Sequence, residues 1–550
     1  MTDIQSAPTV KPDVVYVEEL LDDIVEGRLL VPRFQRPFMW RPEEMLSLFD
    51  SIYKGYPIGS LLVWQTTSTV THCDEVGPIN VSQPGASSAL ILDGQQRLTT
   101  LVGALKLLPD SPKGPGQHDW RWWIYFDLSN EKFTHDPRGK PPKNWFPLRA
   151  ALRTTDFLAE ATRLQKENSG GASQFIQRAE RLVQKLKYYK VAVTRIDGGN
   201  LDEAVEIFSR LNSKGQSVTA DQMVSALTYR EGNPTLSFRI DGIIESLKEY
   251  GFDDINRKTV FNSILAAAGK EIHSSDWEAL ARELKPEMGV AIDSARSSLS
   301  QAARFLCEDV GVPNAGLLPY SNQVLMLSEF FRSCQSPSVK HRQTLQKWFW
   351  VTSLSGWFAG ANTTQINRGL GEMQEFAKDD SYEFKVMPLT EVARPFPSRV
   401  DTRNARVRAL MLFLISLSPR DTVTGEPIHE ELLLDDDGRS FDYVFPKADS
   451  DYRSSPGNRI FVRRKPNDPV WKQLCEIPEQ YRDMVLESHL ISPEAFKTLQ
   501  EGNASDFVAL RESWMKERER EHIKALVIAL PPSENGDQIG EEDDVVDTGD

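Results

Sequence analysis

The sequence predicts an α+β N-terminal domain, a mostly helical middle and a mainly helical C-terminal domain. In the first half, short apolar segments rich in β-branched and aromatic residues alternate with stretches of helical periodicity. After Pro234 long helical periodicity dominates, with few strand signals. A chain of 550 residues is also too long for one core, and its length suggests about three domains. We therefore divide it into residues 1–233, 234–400 and 401–533, followed by a tail over 534–550.

The N-terminal elements are bounded by Gly, Pro and Asp. A helix is predicted from Pro42 to Gly55, because Pro suits a first helical turn, Gly suits a helix end, and the apolar residues between them share one face. Strands are predicted for four segments, Ser60–Trp64, Ser88–Asp93, Trp120–Leu128 and Lys190–Asp197.

The later elements are mainly helical. The middle contains amphipathic segments such as "SSLSQAARFLCEDVGV", and "NARVRALMLFLISLSP" predicts a buried helix after Asp401. An irregular stretch follows from about Asp421 to Pro469. A last helix begins near Ser505, and we expect Phe507, Leu510 and Trp514 on its apolar side.

Charge and composition narrow the function classes. The formal net charge is −15, of which the tail from Glu534 to Asp550 holds eight acidic residues and no Lys or Arg, so we expect this tail to be disordered. A mildly acidic body argues against a broad nucleic-acid-coating surface but leaves room for a local basic groove. The four cysteines lie far apart without zinc-ligand spacing. The first residues do not have the pattern of a signal peptide, and no apolar run approaches the length of a membrane span. We therefore expect a cytoplasmic protein that does not bind a membrane.

The segment "ILDGQQRLTTL" is the first candidate site. Asp93 ends a predicted strand and Gly94 to Arg97 form the first turn of a helix, whose free N–H groups attract anions. Arg97 offers a planar fork for phosphate oxygens, and Asp93 is a candidate ligand for Mg²⁺. A purely structural alternative stays open, because Asp93 with Gln96 is also a capping-box arrangement.

Two further segments contain candidate ligand-binding residues. "VPRFQRPFMW" places Gln35 and Arg36 between two prolines, which stiffen a loop that presents an arginine; a surface ion pair is the alternative for Arg36. "EIFSRLNSKGQSV" places Asn212, Lys214 and Gly215 in a turn between two helices, where Lys214 either contacts phosphate or is simply solvated.

Together these segments resemble the N-terminal domain of GmrSD-type, modification-dependent restriction enzymes, which have a ParB- and sulfiredoxin-like fold. The resemblance rests on four motifs in order, "PRFQRPFMW", "SIYKGYPIGSLLVW", "DGQQRLTTL" and "FSRLNSKG". It implies nucleotide binding and hydrolysis with Mg²⁺, coupled to recognition of foreign, often modified, DNA. By motif, the nucleotide site would contain Gln35, Arg36, Asp93, Gly94, Gln95, Gln96 and Arg97, with Asn212, Lys214 and Gly215 as second-rank candidates. Within it, Arg36 and Arg97 would neutralise phosphoryl charge while Gln95 or Gln96 positions water.

The C-terminal part is similar to the HNH-like nuclease domain of complete enzymes of this type, but it departs from their pattern. "FDYVFPKA" and "GNRIFVRRKPND" supply Asp442, Tyr443, Asn458 and Asn467, and Tyr443 stands where the family has a histidine base. A phenol, with a pKa of about 10, is a poor base for water at neutral pH. We therefore expect a degenerate nuclease domain. His429 and His489 are candidate substitutes for the base, although a histidine in such a loop is more often solvated.

The sequence thus favours an NTP-binding and NTP-hydrolysing, DNA-sensing component of a prokaryotic anti-phage restriction system that works with a separate nuclease effector. One alternative is a regulatory module that binds nucleotide or DNA without turnover. Another is a nuclease that uses a non-standard base. Sulfiredoxin-like redox chemistry is excluded, because no cysteine lies in the turn from Asp93 to Arg97.

Overall fold

The chain forms two compact units, residues 1–237 and 238–550, seen here in a computed structural model. The structure describes residues 9–32, 35, 38–66, 72–83, 88–108, 120–135, 141–167, 171–198, 203, 207, 219–228, 233–272, 277–428, 441–448, 450–463, 468–526 and 528. We call the two the N-terminal unit and the C-terminal unit and describe each by itself.

The N-terminal unit mixes strands and helices. Its strands are β1 (Thr9–Tyr16), β2 (Leu29–Leu30), β3 (Leu61–Thr66), β4 (Glu75–Val76), β5 (Ile79–Asn80), β6 (Ser88–Asp93), β7 (Ile124–Asp127), β8 (Lys132–His135), β9 (Trp145–Pro147) and β10 (Lys190–Asp197). Its helices are α1 (Val17–Val25), α2 (Pro42–Lys54), α3 (Gln95–Leu105), α4 (Thr154–Glu167), α5 (Ala172–Lys187) and α6 (Ala220–Leu227).

A mixed five-stranded sheet organises this unit, with strand order β1-β10-β3-β6-β2. β1 and β10 are antiparallel along their whole length, whereas β10 is parallel to β3. β6 lies antiparallel to β3 and parallel to β2. A smaller antiparallel sheet has the order β8-β7-β9, and β4 and β5 form a hairpin.

Apolar side chains cover both faces of the larger sheet, because successive residues of a strand point to opposite sides. On β6, Ile91 joins the main core with α1, α2 and α3. Leu90 and Leu92 instead join a smaller cluster that includes Trp64. A strand buried on both faces reads as a continuous apolar run, as the segment ending in Asp93 does.

The predicted first helix is confirmed, with Pro42 at its first position. The Glu44 carboxylate accepts a hydrogen bond of 2.8 Å from the Arg41 N–H, and Gly55 ends the helix in the left-handed conformation. The expected strands also form, except that Trp120–Trp122 is a 3₁₀ turn and only Ile124–Asp127 is strand. The backbone turns there because Trp122 packs into the main core, beside Gly103 of α3.

The C-terminal unit is mainly helical. Its helices are α7 (Leu236–Ser246, which begins at the boundary), α8 (Arg257–Ala267), α9 (Trp277–Leu284), α10 (Met288–Phe305), α11 (Ser321–Ser333), α12 (Val339–Ser355), α13 (Trp357–Gly360), α14 (Thr363–Lys378), α15 (Ala405–Ser416), α16 (Ser450–Arg453), α17 (Val470–Cys475), α18 (Arg482–Ser488), α19 (Pro493–Gln500) and α20 (Ala504–Ala525). Its strands β11 (Phe441–Tyr443) and β12 (Arg459–Phe461) form an antiparallel hairpin.

Two groups of elements form the cores of this unit. The helices α8, α10, α11 and α14 pack on one another, and α15 packs on α12 as the buried helix predicted after Asp401. The β11–β12 hairpin packs on α17 to α20 through a separate apolar cluster. An α+β N-terminal region and a helical C-terminal region are therefore confirmed. Among the described residues, no helix has the length and apolar character needed to cross a lipid bilayer.

The predicted apolar side of α20 is partly wrong. Phe507 is buried, but Leu510 and Trp514 are exposed, and the inward face contains Arg511 and Glu519 instead. Glu519 accepts two hydrogen bonds, of 2.9 and 2.6 Å, from the buried Arg406. The apolar pattern did not identify this face, because a charged residue that is buried and paired cannot be distinguished in the sequence from one that is exposed to solvent.

Candidate functional site

The junction between β6 and α3 has the form that the sequence predicts. Asp93 ends the strand, Gly94 adopts a left-handed conformation with φ of 97°, and α3 begins at Gln95. The N-cap residue Gly94 has no side chain that could cap α3, and the first turn of the helix contains no acidic residue. The N–H groups of a first helical turn have no acceptor within the helix, and the helix dipole favours a negative charge there.

Arg97 is held by the protein on several sides. Its Nη1 donates to the Ile58 carbonyl at 2.8 Å, and its Nη2 donates to the Ser60 carbonyl at 2.9 Å and to the Asp93 carboxylate at 3.2 Å. The side chain is only 16% exposed. Three of the five guanidinium N–H groups are thus engaged, and Arg97 fixes the start of α3 against the segment that precedes β3.

Two glycines make room for this guanidinium. Gly59 has a φ of +84°, and a Cβ there would lie 2.6 Å from Arg97 Nη1. A Cβ on Gly94 would lie 2.2 Å from Leu61 Cδ2 and 3.1 Å from Arg97 Nη2. Sequence reasoning did not assign Gly59 a role. Its signal was the motif "GYPIGS", which the fold places beside "DGQQR".

The two glutamines of separate motifs join the loop before α2 to this junction. The Gln35 side-chain amide donates a hydrogen bond to the Ile91 carbonyl on β6. The side-chain oxygen Oε1 of Gln96 accepts hydrogen bonds from the backbone N–H groups of Met39, at 2.8 Å, and Trp40, at 3.3 Å. The capping-box alternative for Asp93 and Gln96 is therefore wrong, because both side chains have other partners.

The remaining motif side chains do not link the junction to another element in the described part of the chain. The Gln95 side chain is half-buried and makes no hydrogen bond with the described residues. The Asp93 side chain is 44% exposed and accepts only from Arg97 in the described part of the chain. Arg36, Asn212, Lys214 and Gly215 lie outside the described residues, so their roles stay predictions.

The expected Mg²⁺ has few protein ligands in the described part of the chain. No group of three or more His, Cys, Asp or Glu side chains suited to a metal ion occurs among the described residues. Asp93 fits Mg²⁺ as a single carboxylate, since this ion keeps several waters and takes its other oxygens from substrate phosphates. Mg²⁺ therefore stays a prediction.

The expected nuclease residues gather on the β11–β12 hairpin. Tyr443 pairs with Arg459 across the strands, and Asp442 precedes it. The fully buried Asn458 holds the turn together: it accepts from the Phe445 N–H at 2.8 Å and donates to the Phe445 carbonyl at 3.1 Å. Asn467 lies outside the described residues.

His489 does not supply a base on this hairpin. It is 3% exposed and hydrogen-bonded to the Arg420 carbonyl at 2.7 Å. Burial lowers its pKa to about 4, so it is neutral at physiological pH and closed to water. The expectation of a solvated histidine is wrong, because His489 ends α18 inside the core. His429 lies outside the described residues.

Comparisons with known proteins agree with the four-motif pattern. Residues 17–229 match the family described as GmrSD restriction endonuclease, N-terminal domain. The chain is also 21% identical over 410 residues to an uncharacterized protein of Methanocaldococcus jannaschii. This match covers 66% of this chain and 67% of that protein. The matched family segment runs from α1 to just beyond α6 and contains the β6–α3 junction. The predicted resemblance of this segment to a GmrSD-type N-terminal domain is therefore confirmed for residues 17–229.

Proposed function

We propose that the N-terminal unit binds a nucleoside triphosphate with Mg²⁺ at the start of α3 and hydrolyses it, as the DNA-sensing component of an anti-phage restriction system. The observation that carries this proposal is the N-terminus of α3, with Gly94 as its N-cap residue, beside the Gln95 side chain, which makes no hydrogen bond with the described residues. Such helix ends bind phosphate groups through backbone N–H groups. The family match supports restriction as the context.

Each side chain at this junction has a distinct proposed role. Gln95 positions the attacking water, because its amide can both donate to and accept from water. Asp93 holds Mg²⁺ directly or through water. Arg36 neutralises charge on the transferred phosphoryl group; we base this role on its motif alone.

Arg97 and Gln96 act mainly as positioning residues. Arg97 has two donors left after its three hydrogen bonds, so its main effect is to hold the first turn of α3 in place. Gln96 attaches the loop that contains Gln35 and Arg36 through Met39 and Trp40. Substitution of either residue would disturb the site through its geometry.

A second candidate function is nucleotide binding without turnover. It is favoured by the same engagement of Arg97, since a guanidinium held by carbonyl groups is less available to stabilise a transition state. In that case the nucleotide would act as a switch that changes how the chain binds DNA.

For the C-terminal unit we propose a degenerate HNH-like domain and a separate nuclease effector. The hairpin and its buried Asn458 support this, and Tyr443 at the base position argues against hydrolysis by this domain. We also propose that the N-terminal sheet is ParB-like. Modified phage DNA is the expected trigger. The alternative is that this domain cleaves DNA with a non-standard base. A nicking assay with Mg²⁺ or Mn²⁺ would detect such cleavage.

The test is a panel of nucleoside triphosphates, with phosphate release and binding measured with and without plasmid or phage DNA. Gln95→Ala should lower phosphate release at least tenfold while nucleotide still binds. Gln177→Ala, an exposed glutamine on α5, is the matched control and should behave as the parent protein. Binding without release in the parent chain would favour the switch, and no binding of any nucleotide would contradict both functions.

A further inference from the structure

Two arginines lie beside the ring of Tyr443 on the β11–β12 hairpin. Tyr443 and Arg459 are cross-strand partners, so their side chains emerge on the same face. The Arg459 guanidinium lies 3.5 Å from the centroid of the Tyr443 ring, and its Nη1 donates to the Phe441 carbonyl at 2.9 Å. The opposite face of the hairpin contributes Val444 and Ile460 to the core.

Arg453 approaches the same ring from the neighbouring helix α16. Its guanidinium lies 5.7 Å from the ring centroid, and its side chain is exposed. Within the described part of the chain, neither Arg453 nor Arg459 forms an ion pair with a carboxylate, and Arg459 Nε is buried without a hydrogen-bond partner. Other arginines of the unit pair with a carboxylate, such as Arg304 with Glu308.

The hairpin holds these cations in place. The buried Arg511 of α20 donates to the Arg459 carbonyl at 2.7 Å and to the Gly457 carbonyl at 2.8 Å. Asn458 closes the turn between Phe445 and the second strand. The backbone that presents Arg459 is therefore fixed by buried hydrogen bonds before any ligand binds, which lowers the entropy cost of binding.

The charge of this cluster is unbalanced. Burial is the main cause that lowers the pKa of Arg459; Tyr443 and Asp442 oppose this shift, and the charge of Arg453 adds to it. Among the described residues, two guanidinium groups and one carboxylate beside the phenol leave an excess of one positive charge. A group with one negative charge and several acceptor oxygens would satisfy both the charge and the unpaired donors.

We infer that Tyr443, Arg453 and Arg459 form a phosphate-binding site that holds one phosphodiester of DNA without cleaving it. A phosphodiester has the single negative charge that the cluster lacks, and the phenol donates a hydrogen bond to it where a histidine would activate water. The choice of DNA over a free anion rests on the proposed function. The nuclease-like hairpin would then bind DNA without cleaving it.

The test measures binding of a short fluorescein-labelled DNA duplex to the full chain by anisotropy, without nucleotide, at several salt concentrations. Arg453→Gln is the main variant, because the side chain is exposed and its loss should leave the fold intact. We expect its affinity to fall about tenfold for all sequences, with the slope of log affinity against log salt reduced by about one. Tyr443→Phe should weaken binding by a smaller factor with an unchanged slope.

Arg304→Gln is the matched control, since it removes an exposed arginine that is already paired with Glu308; its affinity and slope should not change. An unchanged slope in Arg453→Gln would overturn the inference, as would a parent chain that does not bind the duplex. Inorganic phosphate that binds this site while the duplex does not would identify a free-anion site and also overturn it. Because nucleotide is absent, failure of NTP hydrolysis would contradict the proposed function alone.

Discussion

Arg97 donates hydrogen bonds to two backbone carbonyls and one carboxylate, and this contact pattern decides what its substitution would do. A motif arginine is readily taken as a ligand-binding group, as the sequence suggested. Its carbonyl partners, Ile58 and Ser60, lie far away in the chain and have no side-chain signal. Only the fold brings them together, which is why the residue was predicted and its partners were not.

We predict that Arg97→Ala destabilises the N-terminal unit by about 3 kcal/mol, because three hydrogen bonds from a largely buried guanidinium are lost. Calorimetry of the full chain should show a midpoint lower by about 5–10 °C for this unit. Arg28→Ala is the control: its ion pair with Asp23 is 52% exposed on the arginine side, and its loss should change stability by no more than about 0.5 kcal/mol. Equal effects of the two variants would contradict this role for Arg97.

The glycines beside Arg97 give a second, independent prediction. Gly59→Ala should destabilise the unit by about 1–3 kcal/mol more than Gly55→Ala. Both positions have positive φ, but a Cβ on Gly55 meets nothing within 4 Å whereas one on Gly59 lies 2.6 Å from Arg97. Urea unfolding of the two variants separates the packing effect from the backbone effect. A larger loss for Gly55→Ala would show that the guanidinium moves aside freely.

Contacts between elements connect the motifs into one site. β6, α3 and the loop before α2 meet through Gln35 and Gln96, and each glutamine bonds a backbone group of another element. The sequence predicted the strand, the helix and the glycine between them from period and turn chemistry. It could not predict which glutamine faces inward, because Gln95 and Gln96 are identical in type and adjacent.

Hydrogen exchange distinguishes these two glutamines. In Gln96→Leu the N–H groups of Met39 and Trp40 lose their acceptor, so their exchange should accelerate by at least tenfold. Gln95→Leu should leave both amides unchanged, since Gln95 has no hydrogen bond with the described residues. Equal protection in the two variants would mean that another contact holds this loop.

Across the whole chain, the two units differ in how well the sequence predicted them. In the N-terminal unit, apolar period and four motifs identified α2, four strands and the junction, but not β1, α1, α4 or α5. In the C-terminal unit, the sequence predicted the helical character of the middle, the helix α15 and the helix α20, but not that Arg511, Glu519 and His489 are buried. Their burial depends on partners in other elements, which a one-dimensional pattern does not contain.

The burial of His489 predicts an acid-sensitive C-terminal unit. Its folded pKa of about 4 lies below the ordinary value of 6.5, so only the unfolded chain binds a proton between these values. The stabilising contribution is complete above pH 6.5 and is lost as pH falls toward 4, by up to about 3 kcal/mol.

Urea unfolding at several pH values tests this, because His489→Gln should reduce the loss of stability between pH 6.5 and 4. His522, whose pKa burial also lowers, would keep part of the slope. An identical pH dependence in the variant and the parent chain would show that His489 becomes protonated without unfolding.

The most direct test of the nucleotide site is an NMR titration of the full chain with a non-hydrolysable nucleoside triphosphate analogue and Mg²⁺, following assigned backbone amides. We predict that the amides of Gln95, Gln96 and Arg97, at the start of α3, shift first and most. Shifts confined to other elements, or an analogue that binds without disturbing these three amides, would contradict the placement of the phosphates at α3.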